Sequence, residues 1–350
     1  MSIHGWGGSV KSGKGSPLLE VRDLSKYFFT KRTVLKSIRG KPQPRLVALD
    51  GVSMTLNRNE TLGLVGESGS GKSTTARCIV RLHEPDKGSV LFEGRDVLSA
   101  GAEEIRKIRR EMQLIYQDPY TSLNPRLTVR AAISEPARVH RLVDHAGESD
   151  LVEELLLRVS LPVTVADLRP RALSGGQRQR VAIARALSLR PKVIIADEAV
   201  SALDVSIQAQ MLNLFDELCK GLGLGMIFIA HQLSVIAHIS QRVAIMYLGR
   251  IVETGPTPEV FLRPRHPYTD ALLKAHPTIE SQRNRTPALS GEIPSPYAIP
   301  RGCRFNTRCR YTENRCFSED PPPVEVSPGH YSWCHVLPEF SSGMVTKKTG

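Results

Sequence analysis

Apolar residues along this 350-residue chain fall into two rhythms. In the first they form short solid runs, at Thr61–Val65, 192–197, 226–230 and Arg242–Tyr247. Runs of that length, rich in Val and Ile, predict strands buried on both faces of a sheet. In the second rhythm apolar positions recur every three or four residues, at Val129–Val139, 151–159, Leu233–Ile239 and most strongly Val205–Leu222. That spacing predicts helices with one buried face. Residues 74–80 suit a further helix, and 18–28, 46–56, 89–93, 112–117 and 250–253 read as further strands. Strands and helices alternate through most of the chain, the order that produces an α/β core with a parallel sheet. No internal repeat is visible.

The flanking segments break this pattern. Residues 1–17 are rich in Gly, Ser and Lys and lack an apolar stretch. They predict a disordered tail, neither signal peptide nor anchor. Residues 31–45 form a basic, Pro-containing insertion that predicts a loop. No apolar run approaches the ~20 residues of a membrane span, so any membrane is expected to be reached through partners. The formal charge is +12, but the basic residues are not interleaved with aromatics as on an RNA-binding face. A solvated basic surface, or attraction to an anionic leaflet, accounts for the excess, and no nucleic-acid partner is expected.

The chemistry begins at residues 66–74, Gly-Glu-Ser-Gly-Ser-Gly-Lys-Ser-Thr, set between a strand-like and a helix-like run. In that setting the pattern G-x-x-x-x-G-K-[ST] denotes a phosphate-binding loop. Gly66, Gly69 and Gly71 free the backbone so that successive N–H groups, with Ser68 and Thr74, turn toward phosphate oxygens. Lys72 is expected on the β- and γ-phosphates of ATP and Ser73 on Mg²⁺. Further along, the run 192–196 delivers Asp197 and Glu198 to the carboxyl end of a strand. Asp197 is expected to hold Mg²⁺ through water, and Glu198 to polarise the attacking water as general base.

A second anion-accepting helix start follows from Leu173-Ser174-Gly175-Gly176-Gln177 and the helix-like residues after it. On the loop, the paired carboxylates and this LSGGQ run, the chain resembles the ATP-binding subunits of ABC transporters. The resemblance implies a P-loop NTPase (RecA-like) core with an antiparallel β subdomain, built from 18–28 and 46–56, that frames the nucleotide. It implies a helical subdomain at about 120–185, within a nucleotide-binding domain spanning 18–265. It also implies a head-to-tail dimer, with ATP held between the Lys72 loop of one subunit and Ser174, Gly175, Gly176 and Gln177 of the other. Gln117 then matches the Q-loop that senses Mg²⁺ and the γ-phosphate. Asp204, in Ser201-Ala202-Leu203-Asp204, matches the loop that crosses the dimer interface. His231 matches the switch on the γ-phosphate, and Phe28 the adenine-stacking aromatic, with Tyr27 beside it as the alternative. One departure is Ala199, where the family usually has Pro. Alanine relaxes the backbone at Glu198 and removes no catalytic group.

From His266 the composition changes, and four of the six cysteines, Cys303, Cys309, Cys316 and Cys334, lie beyond it. Cys78 and Cys219 sit on predicted core helices and read as buried small hydrophobes. Four thiols in a Pro-rich segment with little core of its own suggest a metal staple. The gaps are wider than the usual C-x₂₋₄-C pairs of structural zinc, and a [4Fe–4S] cluster is expected ahead of zinc or unliganded thiols. Gly302-Cys303-Arg304-Phe305-Asn306-Thr307-Arg308-Cys309 narrows the resemblance to oligopeptide/dipeptide permease ATPases, in which 266–350 is a C-terminal extension. The implied assembly has two transmembrane permease subunits, a second homologous ATPase and an extracytoplasmic solute-binding protein. It places this chain on the cytoplasmic side of the inner membrane. The competing class is a soluble ABC ATPase acting on nucleic acid or ribosomes. Such proteins usually carry two cassettes or a long coiled coil, and this chain has one cassette and no sustained heptads.

Overall fold

The computed structural model describes residues 16–29, 45–118, 122–275, 291–338 and 340. The expected tail up to residue 15 and the insertion 31–44 lie outside that set. In chain order the strands and helices begin with β1 (Leu19–Phe29), β2 (Arg45–Leu56), β3 (Thr61–Val65), α1 (Lys72–Ile79), β4 (Lys87–Phe92) and β5 (Arg95–Asp96). Next come α2 (Ala102–Glu111), β6 (Met112–Ile115), α3 (Val129–Val139), α4 (Glu148–Arg158), α5 (Gly175–Leu187) and β7 (Val193–Asp197). They are followed by α6 (Val205–Leu222), β8 (Gly225–Ala230), α7 (Leu233–Ile239), β9 (Arg242–Tyr247) and β10 (Arg250–Pro256). The last are α8 (Thr257–Leu262), α9 (Pro267–Ala275), β11 (Val324–Ser327) and β12 (His330–Ser332). No described helix is long and apolar enough to cross a membrane.

Contacts divide the chain into two compact units. One comprises 16–20, Thr55–Thr61 and Leu91–Ile227. Here β6 and β7 pair in parallel, Met112 opposite Val193 through Ile115 opposite Ala196. Every residue of β7 is buried, as its unbroken Val-Ile-Ile-Ala run requires of a strand covered on both sides. Beside them α3, α4 and α5 pack on one another, and Val129, Ile133, Val152, Leu156 and Val181 on them are fully buried. Each such side chain contributes about 2 kcal/mol of transfer free energy. The strand–helix sequence also contains α2, which the apolar pattern left unassigned because Ile108 is its one buried residue.

The other unit comprises the described parts of Val21–Met54, Leu62–Val90 and Phe228–Gly350. Its larger sheet runs β11-β12-β10-β9-β3, with β3 and β9 parallel and the remaining pairs antiparallel. A smaller group orders its strands β2-β1-β4. The residues beyond 266 do not stand apart here. Strands β12 and β11 continue the sheet from β10, Glu253 opposite Ser332, and so cover an edge that would otherwise expose unpaired backbone. The join is clamped by Glu253, which has no solvent exposure. Its carboxylate accepts the N–H groups of Arg265 and His266 at 2.7 and 3.0 Å and the Nε2 of His330 at 2.7 Å. A buried carboxylate is tolerated when its lone pairs are filled in this way.

Candidate functional site

The loop after β3 wraps the start of α1. Gly71, the residue before α1, has φ +108, and a Cβ there would lie 2.6 Å from the Ala48 carbonyl oxygen. At Gly66 a Cβ would lie 2.1 Å from the Met246 carbonyl oxygen, so neither position admits a side chain. No side chain caps α1 and no acid occupies its first turn. The dipole at that end favours an anion. Lys72 is buried, and its Nζ donates to the carbonyls of Gly66 at 2.8 Å and Glu67 at 3.0 Å. Ser68 and Gly69 are exposed at the mouth of the loop, while Ser73 and Thr74 are half-buried on the helix behind it. The same unit carries His231, exposed just past β8, and the aromatic pair at the end of β1. Phe28 is exposed and meets His83 edge-on at 5.6 Å between centroids. Tyr27 is half-buried, with the Arg45 guanidinium 4.3 Å over its ring.

The other unit gathers the remaining polar candidates. Asp197 is buried at the carboxyl end of β7. Glu198, the next residue, has φ +50, in the left-handed region that a non-glycine residue enters at a cost. Gln117 reaches it: Gln117 Nε2 donates to Glu198 Oε2 at 2.8 Å. Ser201 Oγ donates to the Glu198 carbonyl at 2.9 Å, which fixes the turn from below. At the start of α5, Ser174 Oγ accepts the Gln177 N–H at 3.3 Å and Gln177 Oε1 accepts the Ser174 N–H at 3.0 Å. This reciprocal capping box explains why the LSGGQ run ends in Gln, and it stabilises the helix start by about 1 kcal/mol. Ser174 is nonetheless exposed, Gly175 and Gly176 are half-buried, and Asp204 is exposed at the start of α6.

Beyond residue 300, Cys303, Cys309, Cys316 and Cys334 line one cavity, together with His266 and Phe305. Burial pushes the Cys303 thiol up to about 12 and holds the His266 imidazole down at about 3, so it is neutral. The donor type suits an iron–sulfur cluster or zinc. The cavity has room for about one water, some 10 Å³. Among the described residues no group of three or more His, Cys, Asp or Glu side chains is placed to hold a metal ion. The expected [4Fe–4S] site thus has its four donors around one space without ligand geometry. Cys78 and Cys219 are buried in helices, both thiols pushed up to about 12 by desolvation, as small hydrophobes would be.

Sequence reasoning missed one set of residues at the phosphate-binding loop. Arg308 and Tyr268, both from beyond residue 265, bind Glu67 inside it. The signal available was two arginines placed directly beside cysteines in Cys303-Arg304 and Arg308-Cys309.

Comparison with known proteins finds the ABC transporter family over residues 49–201 and the oligopeptide/dipeptide transporter C-terminal region over 252–316. The oligopeptide transport ATP-binding protein AppF of Bacillus subtilis (strain 168) is 46% identical over 323 residues, 91% of this chain and 97% of that protein. A probable peptide ABC transporter ATP-binding protein, y4tS of Sinorhizobium fredii, is 47% identical over 91% of this chain and 90% of its own length. Among solved structures, the ATP-binding cassette MJ0796, dimeric in a post-hydrolysis state with ADP and Pi, matches at TM-score 0.60 and 26% identity. That match covers 68% of this chain and 98% of the cassette.

Proposed function

The chain belongs to the ABC transporter family, among the ATP-binding proteins with an oligopeptide/dipeptide C-terminal region, and on that premise we propose that it is the ATP-hydrolysing motor of a bacterial peptide importer. The observation that carries the reading is a pair of anion-accepting helix starts, each presented differently. Uncapped α1 has Lys72 folded onto its own loop carbonyls, a cation that a triphosphate can recruit. Capped α5 presents exposed Ser174 outward, available to a second molecule. Two head-to-tail subunits then use each start once per nucleotide.

In this reading Lys72 holds the β- and γ-phosphates, with the N–H groups of 69–74 around them. Ser73 and Gln117 hold Mg²⁺, which neutralises phosphate charge, and Asp197 does so through water. Glu198 accepts the proton of the water that attacks the γ-phosphorus, and His231 donates to the γ-phosphate. Phe28, more open than Tyr27, stacks on adenine. Gln117 Nε2 is bonded to the Glu198 carboxylate here, which leaves the amide oxygen as the atom that would hold the metal.

The partners are two permease subunits, a second ATPase of the same family and a solute-binding protein, and the chain works at the cytoplasmic membrane face through them. Co-expression tests this. The chain should purify with its permease subunits, and its ATPase should rise several-fold when peptide-loaded binding protein is added in nanodiscs. Failure to associate with permease, together with stimulation by RNA or DNA, would replace the importer by a soluble ATPase.

The same reading gives the extension an iron–sulfur cluster held by Cys303, Cys309, Cys316 and Cys334 as thiolates, supported by the shared space these sulfurs line. The cavity has to widen to admit it. Protein purified without oxygen should contain stoichiometric iron and show broad absorbance near about 400 nm. Zinc in place of iron, or no metal, refutes the cluster and leaves the ATPase reading untouched.

A further inference from the structure

Glu67 lies inside the phosphate-binding loop, a place where a free carboxylate would oppose a triphosphate. Each of its polar groups is engaged. Its N–H donates to Tyr268 Oη at 2.9 Å. Its carbonyl accepts Lys72 Nζ at 3.0 Å and the Ser70 N–H at 3.1 Å. Its carboxylate accepts both terminal nitrogens of Arg308, at 2.8 and 3.2 Å. Two of these four holders come from the segment beyond residue 265, and one of them is a bidentate guanidinium, the geometry that best fixes a carboxylate.

The holders are themselves fixed. Tyr268 is fully buried and packs with Tyr247 and Phe305 at centroid distances of 4.6 and 5.5 Å. The Arg308 side chain is 4% exposed, and Tyr247 Oη lies 3.3 Å from its Nη1. Burial works against its charge, yet the bonds to Glu67 and Tyr247 hold its pKa above the usual value. Four residues earlier, Arg304 bonds the Leu248 carbonyl and Asp50, and Asp50 also takes Arg250 at 2.7 Å. The turn carrying both arginines is closed by the Cys316 carbonyl, which accepts the Cys303 N–H at 2.9 Å and Asn306 Nδ2 at 3.1 Å.

We propose that Arg308 is a positioning residue for nucleotide binding: with Tyr268 it neutralises Glu67 and pins it, so that the loop receives triphosphate without a competing anion. This rests on the reading that the loop binds ATP. The C-terminal extension is then part of the nucleotide site. A buried ion pair that loses one partner leaves an uncompensated charge, and here that charge would sit beside the phosphates.

The test is ATP kinetics on the full chain with its partners. Arg308→Ala should raise KM for ATP by about tenfold and change kcat by less than about twofold, since like-charge repulsion acts on binding. Adding Glu67→Gln to it should return KM to within about threefold of the unchanged protein, because the freed anion is gone. Should Arg308→Ala not fold, Tyr268→Phe, which removes only the oxygen bonded to the Glu67 N–H, should raise KM by about threefold. An unchanged KM in these variants overturns the proposal, as does a tenfold loss that Glu67→Gln leaves in place, which would mark a merely structural pair. If the unsubstituted chain shows no saturable ATP binding, the ATP reading itself fails, a result distinct from either.

Discussion

Replacing Glu198 by Gln is expected to lower ATP turnover by about a thousandfold while ATP stays bound, since general-base assistance contributes about 10²–10⁴. Glutamine keeps the shape of the side chain and loses the ability to take a proton. The surroundings support that separation. Glu198 sits at φ +50 on a turn fixed by Ser201 Oγ at 2.9 Å, so its position is set by backbone contacts that Gln leaves intact. Its carboxylate accepts Gln117 Nε2 at 2.8 Å, and an amide oxygen accepts the same donor. The variant should therefore accumulate ATP in a paired state, seen as an ATP-dependent shift in size-exclusion chromatography and as single-turnover rates near zero. Turnover close to that of the unsubstituted protein would mean that another group takes the proton and that the carboxylate only orients water.

How far the sequence foretold this site depends on the kind of contact involved. Strand β7 and helix α6 were legible to within a residue or two, because local rules suffice for each. The apolar run Val193–Ala196, closed by Asp197, is of strand length and β-branched, and α6 ends at Gly223, whose φ of +69 stops a helix. The phosphate-binding loop was legible for the same reason: its glycines answer to steric limits within a few residues. Helix α2 was not, since a helix with one buried residue has no apolar period to read. Strands β11 and β12 were missed because segments of four and three residues carry no pattern, and pairing with β10 makes them strands. The Arg308–Glu67 pair spans 241 residues, and nothing near either residue announces the other. The cysteines fell between these cases. Their number and spacing suggested a shared role, whereas the sharing of one cavity with His266 came only from the fold.

Removing the Lys72 ammonium is the other change with a large expected effect. Lys72→Ala should weaken ATP binding by at least about a hundredfold and abolish measurable hydrolysis, because a charge-assisted contact to phosphate is lost. Lys72 is nearly buried at 5% exposure, and in this structure its amine protons are turned onto Gly66 and Glu67 carbonyls at 2.8 and 3.0 Å. Those bonds hold the side chain over the uncapped start of α1, so the phosphate finds its cation already in place. Alanine would leave the Gly66 and Glu67 carbonyls without that donor and the loop without its positive charge, so binding and loop order should fall together. Lys72→Arg is expected to fail nearly as badly. The planar guanidinium is bulkier than the ammonium that sits 2.8 Å from the Gly66 carbonyl and 3.4 Å from Ser70 Oγ. Titration with a fluorescent ATP analogue measures the affinity directly, and melting temperature without nucleotide tells lost binding apart from lost folding. Retained micromolar affinity in a folded Lys72→Ala protein would show that the backbone N–H groups at the start of α1 carry the phosphate alone.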